Sequence, residues 1–230
     1  MAAPAPLLHT DEDPSFAELL AQRPHLTMHA HDGLTMEEVP LARIAREVGT
    51  PAWIYSAATL RRRYQALHGA LEEARVPAEI HFAVKANPNL AVLRTLAAEG
   101  AGADIVSEGE LRLALAAGID PTHVVFSGVG KTLAELHGVG QINAESAEEI
   151  AMISAVATEL GRTADVALRV NPDVDAKTHA KITTGKSENT FGVAIADAPA
   201  LYARMAATPG VRPVGVAVHI GSQITAGMAA

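Results

Sequence analysis

Between residues 79 and 220, short apolar runs rich in β-branched residues alternate with stretches of helical period. No other feature constrains the fold as tightly. Strands are expected at 79–85, 103–107, 123–127, 141–144, 166–171 and 214–220, and helices at 90–99, 108–117, 132–137, 147–160 and 198–207. Such a pattern signifies parallel βαβ units whose helices cover the sheet. The first four strands begin about 20 residues apart, close to the minimum for a strand, a helix and two loops. That regularity suits a β/α barrel at least as well as a doubly wound sheet. In either architecture ligands meet the carboxyl ends of the strands. Polar residues gather at those ends: Lys85, Ser107, Ser127, Asn143, Arg169 and His219.

Lys85 is the most unusual of these. It closes the run His81-Phe82-Ala83-Val84, and the chain then turns through Asn87-Pro88. Burying a lysine removes hydration from the charged form, lowers its pKa and frees the neutral amine that Schiff-base chemistry needs. A lysine that merely carries its ammonium out of the strand end into water fits the same nine residues.

The N-terminal part is less regular. Residues 1–27 read as a Pro-rich, poorly ordered leader with one helical turn around 15–22. Residues 28–55 read as a separate segment, with strands at 28–33 and 52–55 around a helix at 36–48 that stops at Gly49 and Pro51. Ser56 is placed to cap a helix reaching residue 74. His29 and His31 would share one face of a strand, the geometry of two metal ligands. No strongly apolar strand leads into them and Asp32-Gly33 is a turn dipeptide, so exposed histidines are expected and no metal site. Gly128-Val129-Gly130-Lys131-Thr132 follows a strand and opens a helix, as a nucleotide-binding loop does. Val125 stands where that motif needs its first glycine, so a tight turn with Thr132 as helix cap is expected. The polar connection from Asn171 to Val193 reads either as a cover over a site or as a surface insertion.

Composition excludes several classes of partner. The net charge is −8, and the one basic cluster, Arg61-Arg62-Arg63, lies on a helix pattern, so neither nucleic acid nor an anionic membrane is expected to bind. The absence of cysteine removes disulfides and thiolate metal sites. The apolar runs are too short to span a bilayer, and the first residues lack the charged region of a signal peptide, so a cytoplasmic protein is expected.

Four blocks then add a resemblance: FAVKANPNLAVLRTLAAEGAGADIVSEGEL, VFSGVGKT, ALRVNPDVDAKTHAKITTGKSENTFG and VGVAVHIGSQ. In this order they resemble the signature blocks of the diaminopimelate decarboxylases. These belong to the pyridoxal-phosphate decarboxylases on an alanine-racemase-like barrel, with ornithine and arginine decarboxylases as relatives. The resemblance runs from about Gly33 to Gln223. It implies decarboxylation of meso-diaminopimelate to L-lysine with pyridoxal 5'-phosphate as cofactor. Lys85 matches the lysine that binds the cofactor through its amine, His219 the histidine that packs on the pyridine ring, and Ser222 a phosphate contact. Asp104 and Arg169 match polar residues of the cofactor pocket.

The implied fold is an α/β, incomplete (β/α)8 barrel with about six strands present, over residues 56–230, preceded by a segment at 28–55 that would join a missing β-domain. The family's later glycine-rich loop, pyridine-pairing glutamate and substrate-binding residues are not found after Thr225. The expectation is therefore a truncated chain, inactive alone, with the edges of its first and sixth strands exposed. Complete members are homodimers. The segment from Thr132 to Gly140 is shorter than the family's, so a short or irregular element is expected there. Other readings of the same residues are an ornithine, arginine or carboxynorspermidine decarboxylase, or a non-catalytic pyridoxal-phosphate-binding partner of an intact homologue.

Overall fold

The chain divides into two compact units, residues 1–63 and 64–230. A computed structural model describes residues 15–128, 131, 139–172 and 191–220 of it. In the first unit Ser15 caps α1 (Phe16–Ala21). Its hydroxyl accepts from the Glu18 N–H at 3.3 Å, and the Glu18 carboxylate accepts from the Ser15 N–H at 2.7 Å. An antiparallel sheet follows, β1 (Leu26–His29), β2 (Gly33–Met36) and β3 (Val39–Pro40), paired in that order.

This corrects three expectations. Residues 28–33 are a hairpin rather than one strand, with His29 opposite Gly33 and the Asp32-Gly33 dipeptide at the turn. The helix expected from residue 36 begins only at Leu41, as α2 (Leu41–Val48). Pro40 holds the N-cap position in an extended conformation, and Glu37, at φ 53°, turns the chain between β2 and β3. Residues 52–55 form no strand: among the described residues that sheet takes up only β1, β2 and β3, and Trp53 is 91% exposed.

Glu37 then serves as a hydrogen-bond centre. Its Oε1 accepts from Ser56 at 2.6 Å, Thr59 at 2.9 Å and the Arg62 guanidinium at 3.0 Å. Ser56 also caps α3 (Ala57–Glu73), accepting from the Thr59 N–H at 2.9 Å.

The second unit holds β4 (His81–Ala83), α4 (Leu90–Ala97), β5 (Gly102–Ile105), α5 (Glu108–Ala116), β6 (Val124–Phe126), β7 (Gln141–Ala144), α6 (Ala147–Glu159), β8 (Ala164–Asn171), β9 (Val193–Ala194), α7 (Ala198–Ala206) and β10 (Val211–Ala217). The strands run in the order β4-β5-β6-β7-β8-β10, every neighbour parallel, and short β9 pairs with β8. Each crossover thus sets the next strand beside the last. No reversal of order occurs, so the winding is that of a β/α barrel and not of a doubly wound sheet. The expected sixth strand, 214–220, lies three residues earlier, at Val211–Ala217, because its ladder begins opposite Ala164. The expected helix at 132–137, with its Thr132 cap, lies outside the described residues, as does most of the 171–193 connection.

Alternation assigns the two faces of the sheet. Ala103, Ile105, Val124 and Phe126 pack with Leu93, Leu111 and Ala114 of α4 and α5. Ile142, Ala144, Val166, Leu168 and Val170 pack with Ile150, Ile153 and Val156 of α6 and Met205 of α7. Each fully buried side chain of this size contributes about 1.5–3 kcal/mol. The residues between them in sequence, Asp104, Asn143 and Arg169, are left for the opposite face. Adjacent segments approach closely at Gly140, where a Cβ would lie 2.1 Å from the Thr122 carbonyl oxygen, so only glycine fits. At the outer edge, Val214, Val216 and Val218 are 45%, 60% and 55% exposed.

Two predictions follow from this packing. Replacing Ile153, 1% exposed, by Ala should cost about 2–5 kcal/mol in denaturant unfolding. The hydroxyls and guanidinium around Glu37 hold its carboxyl at about 2, below the ordinary 4.5. A carboxyl lowered in the folded state stabilises at pH values above 4.5, and loses that effect as pH falls toward 2. The stability difference between wild type and Glu37→Gln should therefore close over that interval, and a pH-independent difference would contradict the assignment.

Candidate active site

Lys85 does not end a strand. β4 stops at Ala83, and Val84–Ala86 form one turn of 3-10 helix. The cause lies just downstream. Asn87 precedes a proline and is held extended, at φ −160° and ψ 98°, while its N–H closes the turn on the Val84 carbonyl at 3.0 Å. Asn87 Oδ1 accepts from the Asn89 N–H at 3.1 Å, and Asn89 Oδ1 from the Ala91 N–H at 2.9 Å, which starts α4 directly after the turn. The turn buries Val84 completely and leaves Lys85 exposed. The premise of a desolvated amine is thus corrected: the side chain stands in solvent because the turn, and not a strand, carries it.

Asp104 is anchored by a ladder across three strands. The Ser127 hydroxyl donates to Asp104 Oδ1. Asn143 Nδ2 donates to Ser127 Oγ at 2.9 Å, and Gln141 Nε2 donates to Asn143 Oδ1 at 2.9 Å. Ser127 is held in turn by its N–H on the Ile105 carbonyl at 2.8 Å. Strand periodicity puts all these groups on the face away from the helices.

Arg169 belongs to a buried chain of charge. Its Nη1 meets Glu145 Oε1 at 2.6 Å, with both side chains 10% exposed or less, and its guanidinium lies 5.2 Å from the centre of the Phe191 ring. Glu145 Oε2 accepts from the Gly192 N–H at 3.0 Å, and the Glu145 N–H donates to Glu149 Oε2 at 2.7 Å. Glu149 Oε1 pairs with Lys131 Nζ at 2.9 Å. Lys131 also donates to the Asn143 carbonyl at 2.7 Å and lies 5.8 Å from the centre of the Phe126 ring. Removing one member of such a pair costs about 3–5 kcal/mol.

Glu149 occupies the third helical position after the cap residue Ser146, and Glu110 the same position after Ser107. In both junctions the glutamate reaches the N–H just before the cap, of Glu145 at 2.7 Å and of Val106 at 2.8 Å. Glu145 was not anticipated. The signal was an acidic residue between the end of a strand and a capping serine, a place where a simple cap needs no charge.

His219, half-buried just past β10, brings these elements together. Its pKa is lowered, first by burial and then by the charges of Lys85 and Arg169, against the opposing influence of Asp104 and Glu145. Five side chains from β5, β8, β10 and two strand-to-helix junctions thus act on one edge. Ser222 lies outside the described residues. Lys131, of the loop that resembles a nucleotide-binding one, is 4% exposed and pairs with Glu149, and His29 and His31 are exposed. Among the described residues no group of three His, Cys, Asp or Glu side chains is placed to hold a metal ion, and no helix is long and apolar enough to cross a membrane.

Residues 57–229 match the family model of the pyridoxal-dependent decarboxylase, pyridoxal binding domain. The chain is 50% identical over 198 residues to the diaminopimelate decarboxylase of Zymomonas mobilis, and 53% identical over 197 residues to that of Pseudomonas aeruginosa. Each alignment covers 84% of this chain and 47% of the relative, so the chain spans about half the length of the curated relatives it matches. The crystal structure of the M. jannaschii diaminopimelate decarboxylase in complex with L-lysine superposes with a TM-score of 0.79 at 34% identity, over 87% of this chain and 48% of that one.

The charge pattern around His219 sets a direct test. In an NMR titration its midpoint should lie below 6.5. Lys85→Met should raise that midpoint and Asp104→Asn should lower it further, because each removes one of the charges that act on the ring. A midpoint unmoved by either substitution would separate these residues.

Proposed function

The chain belongs to the pyridoxal-dependent decarboxylases, and from that premise we propose that it carries the cofactor-holding part of a diaminopimelate decarboxylase, a carboxy-lyase that converts meso-diaminopimelate to L-lysine. The observation that carries this reading is the meeting of Lys85, Asp104, Arg169 and His219 at one edge of a parallel sheet.

The donor set fits pyridoxal 5'-phosphate. Lys85 supplies an exposed primary amine, the group that combines with an aldehyde carbon. Burial and two neighbouring cations favour the neutral form of His219, so the imidazole can lie against an aromatic ring without placing a further charge there. Arg169 offers a fixed positive charge. Asp104, fixed by Ser127, offers a fixed negative one. When bound, the cofactor accommodates the electron pair left on the substrate carbon as carbon dioxide departs. Lys85 would hold the cofactor through its amine, and that amine could also accept or return a proton at the reacting carbon. Arginine at this position would keep the charge and lose both roles. Ser222 completes the proposed set as a phosphate contact.

Residues 28–55 are assigned to a β-domain of the same enzyme, supported by the antiparallel sheet of the first unit. Activity, an amino-acid substrate and a homodimer are proposed for the full-length enzyme.

The test is chemical. The chain is titrated with pyridoxal 5'-phosphate, reduced with borohydride, digested and mapped by mass spectrometry. A phosphopyridoxyl adduct on Lys85 is expected, and none in Lys85→Ala or Lys85→Arg. An adduct spread over surface lysines, or none at all, would overturn the reading.

A further inference from the structure

Glu145 touches none of the groups assigned to the cofactor except Arg169, yet both of its carboxylate oxygens and its backbone N–H are engaged. Its side chain is 5% exposed, and its two oxygens are divided between different parts of the fold. Oε1 takes the Arg169 guanidinium at 2.6 Å, and Oε2 takes the Gly192 N–H at 3.0 Å. Its own N–H is fixed on Glu149 at 2.7 Å. Gly192 is at φ 77°, and a Cβ there would meet the Arg169 carbonyl oxygen at 3.0 Å, so the backbone of that residue passes directly over β8. Phe191, next to it, places its ring 5.2 Å from the same guanidinium. Among the described residues Arg169 is thereby flanked by a carboxylate and an aromatic ring, and the carboxylate also holds the backbone next to the ring.

We propose that Glu145 is the positioning residue of the cofactor site: it fixes the Arg169 guanidinium at the sheet edge and, with its second oxygen, seats Phe191-Gly192 against that guanidinium. The inference rests on the pyridoxal-phosphate reading of Lys85, His219 and Arg169. It requires a carboxylate. A glutamine puts an NH2 donor in place of one of the two carboxylate oxygens, so the partner facing that position, Arg169 or the Gly192 N–H, meets a donor where it had an acceptor. An aspartate keeps both acceptors and is one methylene shorter, so it cannot span both partners from the same backbone position.

A buried apolar residue supplies the control. Ile153 is 1% exposed and packs in the apolar cluster beneath β7 to β10, with no polar group to offer Arg169. Ile153→Ala should therefore lower the melting temperature as Glu145→Gln does, while leaving the hydrogen bonds of Glu145 and Glu149 in place.

The experiment titrates the full chain with pyridoxal 5'-phosphate, followed by absorbance and by borohydride adduct at Lys85, alongside thermal unfolding of each variant. Glu145→Gln should weaken cofactor binding about tenfold or more, the scale on which outer partners of a site act. Ile153→Ala should change it by less than about twofold at a comparable loss of melting temperature. Glu145→Asp, which keeps the charge, should fall between and carries the test if Glu145→Gln does not fold. Equal weakening by the substitutions at 145 and 153, or none by either substitution at 145, would reduce Glu145 to a structural role. A wild-type chain that forms no adduct at Lys85 would instead overturn the cofactor reading itself.

Discussion

Every strand of the larger sheet runs the same way and is laid down in sequence order, and the remaining features depend on that constraint. Parallel pairing forbids tight hairpins, so each strand must be followed by a crossover before the next can join. All carboxyl ends then lie along one edge. Lys85, Ser127, Glu145 and His219 lie far apart in the chain, and they share that edge because each follows a strand of the same direction. Chemistry at the edge is a product of topology before it is a product of any side chain.

The body of the sheet and its carboxyl edge are held by different forces. Beneath the helices, apolar side chains lose water and need no geometry beyond close packing. Toward the carboxyl edge, paired charges sit at 10% exposure or less, where each unpaired group would be costly. Sharing solves the problem: one glutamate serves a lysine and a backbone N–H, and the next serves an arginine and a backbone N–H. Such pairs add little net stability over a well-packed apolar substitute. What they supply here is position: each holds a side chain or a backbone N–H at a fixed place.

Much of the architecture was legible because it is local. Helix and strand alternate with clear periods, and α4 to α7 lie within a few residues of the expected spans. The errors came where a proline or a partner strand decides. Asn87-Pro88 ends β4 two residues early and converts Lys85 from a strand end to a turn, and Pro40 delays α2 by five residues. Motif blocks pointed to Lys85 and Arg169. For Glu145 the local signal was only an acidic residue before a capping serine, which does not reveal its partners 24 and 47 residues away.

The apolar packing among the described residues falls into two clusters, one under β4 to β6 and one under β7 to β10, with Val139 packed against both. The Phe126–Ile142 ladder and the side-chain bonds of Ser127, Asn143 and Lys131 also run between them. Lys85 and Asp104 lie on or just past the strands over one cluster, Arg169 and His219 on or just past those over the other. The edge is thus assembled from two bodies of packing at once, and its geometry depends on both staying folded and not on either alone.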